Sequence, residues 1–160
     1  MANTKEVRKQ IASIKGTQKI TSAMEMVAAS KMKKTQDNML KGRPYSLKIK
    51  DVITHMASAS SEYPHPFYEE RTAKKACFII VSSDKGLCGG LNVNLFKQAI
   101  AKSAELNEQG IESCFALIGT KASGFFKSVG GQIVAVAEKL GDKPNPDDLI
   151  GLTKVVLDMH

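Results

Sequence analysis

The feature that most constrains this chain is its first 57 residues, which predict one very long helix. Asn3 followed by Glu6 matches a capping box, in which two side chains bond to amide groups left unpaired at a helix start. Alanine, methionine, lysine, glutamine and glutamate then dominate, and these residues lose little rotamer freedom on a helix. An unbroken helix of this length extends about 80 Å. A compact domain cannot cover it.

The apolar residues of this helix fall on two sides. The first repeats every three or four residues, as in a coiled coil, and consists of Val7, Ile11, Ile14, Ala28, Met32 and Met39. Gln18, Thr21 and Glu25 occupy its middle. The second, roughly opposite, consists of Ile20, Met24, Val27, Ile49, Ile53 and Met56. A helix apolar on two sides needs neighbours on two sides. A single amphipathic bundle helix is the simpler alternative.

Gly42-Arg43-Pro44 is the candidate break in this stretch. Proline removes one helical hydrogen bond and clashes with the preceding turn. A kink and a break at Pro44 are equally compatible with the sequence.

Positive charge is concentrated on the long helix. Residues 1–57 carry 12 Lys/Arg and 4 Asp/Glu, whereas residues 58–160 carry 11 and 12. The basic side chains spread around the helix, so acidic protein, phosphate or an anionic membrane surface could each face it. The alternative is a solvated helix that uses lysine for solubility.

Composition excludes several classes of protein. No apolar run approaches the roughly 20 residues of a membrane span, and the N-terminus has no apolar signal core, so we expect a soluble, cytoplasmic protein. Cys77, Cys88 and Cys114 form no CxxC pair and predict buried or free thiols rather than a disulfide framework. The three histidines have no metal-site spacing, and no metal or cofactor is predicted.

The remainder predicts a linker over residues 58–75 and an α/β domain over residues 76–160. Apolar runs at 76–81, 113–118 and 132–137 predict strands, the first covered on both faces. Helices follow each strand, and the last begins with Asn145 as N-cap and Pro146 at its first position and runs to the end of the chain. This alternation predicts a small Rossmann-like βαβ fold with a parallel sheet.

The loop over residues 82–92 is the one candidate binding site in the sequence. It lies between a strand and a helix, where phosphates bind. Its glycines match neither G-x-G-x-x-G nor a phosphate loop, so a tight structural turn is favoured over nucleotide binding. Asp84 could bind a ribose or a metal, but more often such a residue caps the next turn. Cys88 could be a nucleophile, but no base can be placed beside it.

Several motifs resemble the gamma subunit of bacterial F-type ATP synthase. They are TQKITSAMEMVAASKM at 17–32, RPY at 43–45, SSDKGLCGGLNVNLF at 82–96, LIGTKA at 117–122 and SVGG at 128–131. The resemblance implies a non-catalytic central rotor shaft, whose N-terminal helix pairs with a long C-terminal helix inside a ring of alternating alpha and beta subunits. That second long helix is absent from these 160 residues, and a truncated chain is the expectation.

The resemblance also implies partners and a location. The partners are the alpha and beta subunits, the epsilon subunit and the ring of c subunits, and the location is the cytoplasmic side of the bacterial inner membrane, without a span of its own. The implied partner-interface residues are Lys15, Thr17, Gln18, Lys19, Ile20, Thr21, Met24, Glu25, Lys31 and Lys33. The resemblance also implies that the loop residues shape the α/β domain and its contact with the epsilon subunit. These residues are Asp84, Gly86, Leu87, Cys88, Gly89 and Gly90.

Two other classes of function remain open. A nucleic-acid binder would use the lysines against phosphate, although residues 1–44 contain no aromatic side chain for stacking on bases. A small nucleotide-dependent enzyme would use the glycine-containing loop. We predict neither.

Overall fold

The computed structural model describes residues 3–58, 69 and 71–159. In chain order its elements are α1 (Thr4–Ser58), β1 (Lys75–Val81), α2 (Leu91–Glu108), β2 (Glu112–Ile118), α3 (Thr120–Ser128), β3 (Ile133–Ala137) and α4 (Asp147–Asp158). They form two compact units, Met1–Pro64 and His65–His160. The prediction of an α/β chain with a long N-terminal helix is confirmed. The predicted linker over residues 58–75 lies largely outside the described residues, and its limits stay a prediction.

Helix α1 runs for 55 residues without interruption. The Asn3 side chain accepts a hydrogen bond from the Lys5 amide at 3.3 Å, while the Glu6 amide donates to the Asn3 carbonyl oxygen at 2.8 Å. Asn3 therefore caps the helix, but through Lys5 rather than through Glu6. The helix continues through Pro44, so it is not interrupted there. Every side chain from residue 3 to residue 57 is exposed.

The second unit contains a three-stranded parallel sheet in the order β1-β2-β3. Each strand begins or ends within one residue of its predicted limits. Strands β1 and β2 pair without irregularity, from Lys75 opposite Glu112 to Val81 opposite Ile118. Their carboxyl ends therefore lie side by side. The β2–β3 pair has one register shift, between Phe115 and Ala116.

Helices α2 and α3 cover one face of the sheet. Phe96 and Ala99 of α2 and Ala122 and Phe126 of α3 are buried against strand residues Ile80, Phe115 and Leu117. The ring of Phe126 lies 4.5 Å from that of Phe115, centroid to centroid, and meets the Phe96 ring edge to face at 5.7 Å. This aromatic cluster is the main core of the unit.

Helix α4 covers only part of the opposite face. Leu152 packs against Ala116 of β2 and Ala137 of β3. On β1 the same face is open, with Ile79 and Val81 exposed by 53% and 62%. The prediction that β1 is covered on both faces is therefore wrong, because the one helix on this side packs over the β2–β3 half.

The limits of α4 also differ from the prediction. Pro146 is the N-cap rather than the first helical residue, and the Asn145 side chain accepts a hydrogen bond from the Asp147 amide at 3.2 Å. Both residues thus take part in the cap, shifted by one position. The helix ends at Asp158 with Met159 as its C-cap, so it does not extend to the end of the chain as predicted.

Candidate functional site

The loop that follows β1 lies at the carboxyl edge of the sheet, next to the start of α3. Because Val81 pairs with Ile118, the next residues of the two strands, Ser82 and Gly119, are also neighbours. The Ser82 amide donates to the Ile118 carbonyl oxygen at 2.8 Å. The loop residues and the first turn of α3 therefore meet, although they are separated by more than 30 positions in the sequence.

One oxygen of the Asp84 carboxylate takes part in this contact. Its Oδ1 atom accepts hydrogen bonds from the Thr120 amide and the Thr120 hydroxyl, both at 2.9 Å, and from the Lys139 amide at 3.3 Å. The Thr120 amide, followed by its hydroxyl, holds the pKa of Asp84 below its usual range. Asp84 thus caps α3, not the turn that follows it in sequence. Neither a ribose nor a metal is needed to explain this carboxylate.

The other amides at the start of α3 are also satisfied within the chain. The Lys121 amide donates to the Ser83 carbonyl oxygen at 3.2 Å, and the Ala122 amide donates to the Ser82 hydroxyl at 2.8 Å. A phosphate at a helix start needs free amides. The strand order also never reverses in the described sheet, so the crevice in which α/β folds bind nucleotides is absent from it. The start of α3 therefore offers no free amide to a phosphate, and the described sheet has no nucleotide crevice, which favours a structural role for the loop.

A second network fixes the loop to α2. The buried Asn92 amide nitrogen donates to the Ser83 hydroxyl at 2.8 Å and lies 3.2 Å from the Cys88 sulfur. The Ser83 amide donates back to the Asn92 side-chain oxygen at 3.3 Å. Cys88 is half-buried and belongs to this network. Its neighbours are an amide and a hydroxyl, and neither is a general base for a nucleophilic thiol.

The glycines of the loop have different roles. Gly89 has φ +59°, a left-handed conformation that favours glycine. Gly86 and Gly90 do not have positive φ values. At Gly90 an added Cβ atom would lie 3.2 Å from the Asn94 side chain. Between them Leu87 also has positive φ, at 64°, and its side chain is fully exposed. The loop therefore holds an apolar side chain out in solvent.

A cavity of about 600 Å³ opens at the same edge of the sheet. Its apolar wall consists of Val81, Ile118, Leu140, Pro144 and Leu149. Asp84 lines it, but its carboxylate is engaged as described above. The other polar residues that line the cavity are Ser82, Ser83, Lys85 and Asp142.

Ser82 and Asn92 lie in the loop singled out from the sequence, and Gly119 and Thr120 lie in the motif at 117–122, but none of the four was assigned a role in this region. Gly119 has φ +99°, and a Cβ atom there would lie 2.3 Å from the Ser82 carbonyl oxygen. The signal that could have found them is the pairing of the first two predicted strands, which places the residues after each strand side by side.

The residues predicted as a partner interface are all exposed on α1. Thr17, Gln18, Thr21 and Glu25 share one exposed face of α1 with Ser13, Ile14 and Ser22, and the shallow groove along this face lies between side chains of α1 alone. Ile20 and Met24 lie one helical turn apart outside this groove and are exposed by 64% and 61%. The structure therefore separates the predicted residues into a polar groove and an apolar side.

The two threonines of the groove bond to the helix itself. The Thr17 hydroxyl donates to the Ser13 carbonyl oxygen at 3.1 Å, and the Thr21 hydroxyl donates to the Thr17 carbonyl oxygen at 2.9 Å. Such bonds leave the hydroxyl oxygen as an acceptor toward a partner. The predicted basic residues Lys15, Lys19, Lys31 and Lys33 are also exposed. The long helix thus presents apolar, acceptor and cationic groups together.

Comparison with known proteins gives this surface its context. The family model described as ATP synthase matches residues 3–160. The gamma chain of ATP synthase from Nitrosococcus oceani (strain ATCC 19707) is 56% identical over all 160 residues. The chain belongs to the ATP synthase gamma-chain family. It spans 55% of the length of this curated relative. The recognition made from the motifs at 17–32 and 82–96 is thereby confirmed.

The described residues contain neither a metal-binding cluster nor a membrane-spanning helix. Among the described residues no cluster of three or more His, Cys, Asp or Glu could hold a metal ion. Within residues 3–58 and 71–159, no helix combines the length and the apolar character needed to cross a bilayer.

Proposed function

We propose that this chain acts as the central rotor shaft of an F-type, proton-translocating ATP synthase. It is a non-catalytic subunit, which transmits rotation of a c-subunit ring to catalytic beta subunits and contributes no bond chemistry itself. Its partners are the alpha, beta, epsilon and c subunits, and nucleic acid is not among them. It lies on the cytoplasmic side of the bacterial inner membrane, held peripherally by these partners.

The observation that carries the proposal is the surface of α1. Large apolar side chains are exposed on it from Val7 to Met56, and nearly all of them are more than 40% exposed. Apolar burial stabilises by about 25 cal/mol per Å². A helix that exposes apolar groups on two sides therefore gains from a partner on each side. A shaft helix has two such neighbours, namely a second helix of the shaft and the surrounding subunits.

The charge of α1 supports the choice of partner. Residues 1–57 have a net charge of +8, and the lysines are distributed around the helix. A second copy of α1 would bring like charges together, which is destabilising. An acidic surface on the beta subunits complements this charge instead. Exposed charges of this kind guide association and orientation more than they add affinity.

The loop after β1 contributes in a different way. Asp84 and Asn92 fix it to α3 and α2, so its conformation is set before any partner binds. Leu87 extends from it fully exposed. We assign Asp84, Cys88 and Gly89 to shaping the α/β unit, and Leu87 to the contact with the epsilon subunit.

Reconstitution tests the proposal. The 160-residue chain is mixed with purified alpha and beta subunits, and the mixture is analysed by size-exclusion chromatography and by ATP hydrolysis. The gamma chain of Nitrosococcus oceani is the positive control for assembly. We expect a complex that contains the chain. Failure of the chain to enter a complex that the control does enter would contradict the proposal for a chain of this length.

A matched pair of variants then tests the surface. Met24 lies on the second apolar side, whereas Met26 lies on neither side but is similarly exposed, by 67%. Met24→Asp is expected to raise the dissociation constant of the complex by about tenfold or more. This corresponds to a loss of at least about 1.4 kcal/mol of binding free energy, as for an important interface side chain. Met26→Asp is expected to have a smaller effect. Equal effects of the two substitutions would contradict the assignment of sides.

A further inference from the structure

We propose that Cys77 and Cys114 form a thiol-oxidation site, in which the two side chains join in a disulfide when a thiol oxidant reaches them. Cys77 lies on β1 and Cys114 on β2, and they are direct partners in the parallel register. Paired residues of a parallel sheet point to the same face. Adjacent strands are about 4.8 Å apart, and Cα atoms of bridged cysteines are usually about 4.4–6.8 Å apart. The backbone therefore permits the bond.

The surroundings give the two thiols different roles. Cys114 is completely buried, whereas Cys77 is half-buried and packs at the edge of the cluster of Ala116, Ala137 and Leu152. Cys77 is followed on the same face of β1 by the exposed Ile79. An oxidant therefore reaches Cys77 first. Cys114 then lies within reach as the resolving thiol.

The surroundings of Cys77 also affect its pKa. Burial, and then a hydrogen bond with the Cys114 thiol, raise the pKa of Cys77 to about 11. The third cysteine, Cys88, contacts Asn92 and Ser83 instead. The pair is thus distinguished from Cys88 by its direct pairing across β1 and β2. A high pKa makes the thiolate scarce near neutral pH, so the reaction is slow, and the site differs from a catalytic cysteine.

The chemistry can be written with an azodicarboxamide such as diamide as the oxidant. The Cys77 thiolate adds to one nitrogen of the N=N bond, and the other nitrogen takes a proton. The Cys114 thiolate then attacks the Cys77 sulfur, the S–N bond breaks, and the released nitrogen takes a second proton. Two thiols have lost two protons and two electrons, and the azo compound has become the hydrazine. The product is one disulfide between β1 and β2.

The bond is expected to be easily reduced. The Cβ atoms of a disulfide lie about 3.5–4.5 Å apart, which is closer than the spacing of about 4.8 Å between strands. The two strands must therefore approach locally, and a disulfide that distorts its surroundings is more reducible. We expect a small dithiol such as dithiothreitol to restore both thiols without unfolding the protein.

Alkylation after oxidation tests the proposal on the unmodified sequence. The 160-residue chain is treated with diamide under native conditions, then unfolded and alkylated with iodoacetamide. Peptide mass spectrometry identifies the modified cysteines. We expect one carbamidomethyl group, at Cys88, and a peptide pair linked through Cys77 and Cys114. Alkylation of all three cysteines, or a disulfide that includes Cys88, would overturn the proposal.

Two controls test whether the folded sheet directs the pairing of Cys77 with Cys114. Oxidation in concentrated urea is expected to give mixed pairings of the three cysteines, because the sheet no longer holds Cys77 beside Cys114. Cys88→Ala is expected to leave the Cys77–Cys114 disulfide unchanged. The same 77–114 pairing in urea as in the native protein would show that the sheet does not direct the reaction, and would also overturn the proposal.

Discussion

Different kinds of contact stabilise helix α1 and the α/β unit. In α1 every described side chain is exposed, and the helix consists of local hydrogen bonds such as that from Thr21 to Thr17. In the α/β unit, Phe126 contacts Phe115 and Phe96, and Asp84 bonds to Thr120 across 36 positions of sequence. The first region depends on helix propensity, and the second depends on a core.

This difference explains how one chain can be both a domain and part of an assembly. Helix propensity alone makes an isolated helix marginal, because most helical stability in proteins comes from packing of an apolar face. The apolar side chains of α1 are exposed, so a partner could supply such packing. We therefore expect substitutions in the two regions to have separate effects. The following predictions test that separation, beginning with the largest effect.

Removal of the central ring of the core should have the largest effect. Phe126 is 1% exposed, and Phe126→Ala is expected to lower the free energy of unfolding of the α/β unit by about 3–5 kcal/mol. Urea denaturation, followed by the NMR amide signals of β2, measures this loss. Val129→Ala, at an exposed position three residues further along, is the control. A loss below about 1 kcal/mol for Phe126→Ala would contradict the account of the core.

The close approach at Gly119 predicts the next effect. Gly119→Ala is expected to destabilise by about 3 kcal/mol, since it combines a positive φ with a clash against the Ser82 backbone. Gly110→Ala shares the positive φ, but nothing lies within 4 Å of its added Cβ atom. We expect about 1 kcal/mol there. Equal losses in the two variants would show that the Ser82 contact has no energetic role.

The Asp84 cap predicts a pH dependence. The folded-state pKa of Asp84 lies below the ordinary value of 3.8, so its contribution is present above pH 3.8 and is lost as pH falls through the lower folded value. The wild-type urea midpoint should exceed that of Asp84→Asn near neutral pH. The gap should narrow in strong acid. A gap that stays constant down to the lowest pH would contradict the assigned role of the carboxylate.

A change within α1 should leave the α/β unit unaffected. Gly16 lies inside the helix with open space around its Cα atom. Gly16→Ala is expected to favour the local helix by about 1 kcal/mol. Far-UV circular dichroism should show more helix, while the urea midpoint of the β2 amide signals stays the same. A shift of that midpoint would show that the two regions unfold together.

The two regions also differed in how well the sequence predicted them. Helix α1 follows from local propensity and from the Asn3 cap, and the three strands follow from continuous apolar runs. The bond of Asp84 to Thr120 and the open face at Ile79 did not follow, because both depend on which strands pair and on which helix covers them. The continuity of α1 through Pro44 was also undecided, since a proline permits a kinked as well as an interrupted helix.

The interface residues were only partly resolved by geometry. The helical period places Thr17, Gln18, Thr21 and Glu25 in one groove, as a sequence reading can show. Which partner meets which side depends on surfaces outside this chain. The assignment of residues such as Ile20 and Met24 to a subunit contact therefore stays a prediction.

Amide hydrogen exchange tests the central claim most directly. The chain is measured alone and in the presence of alpha and beta subunits, with peptides that report on α1 and on β2 separately. We predict fast exchange in α1 of the free chain, strong protection of α1 in the complex, and protection of β2 in both states. Slow exchange of α1 in the free chain, or no change in α1 on adding the subunits, would contradict the account.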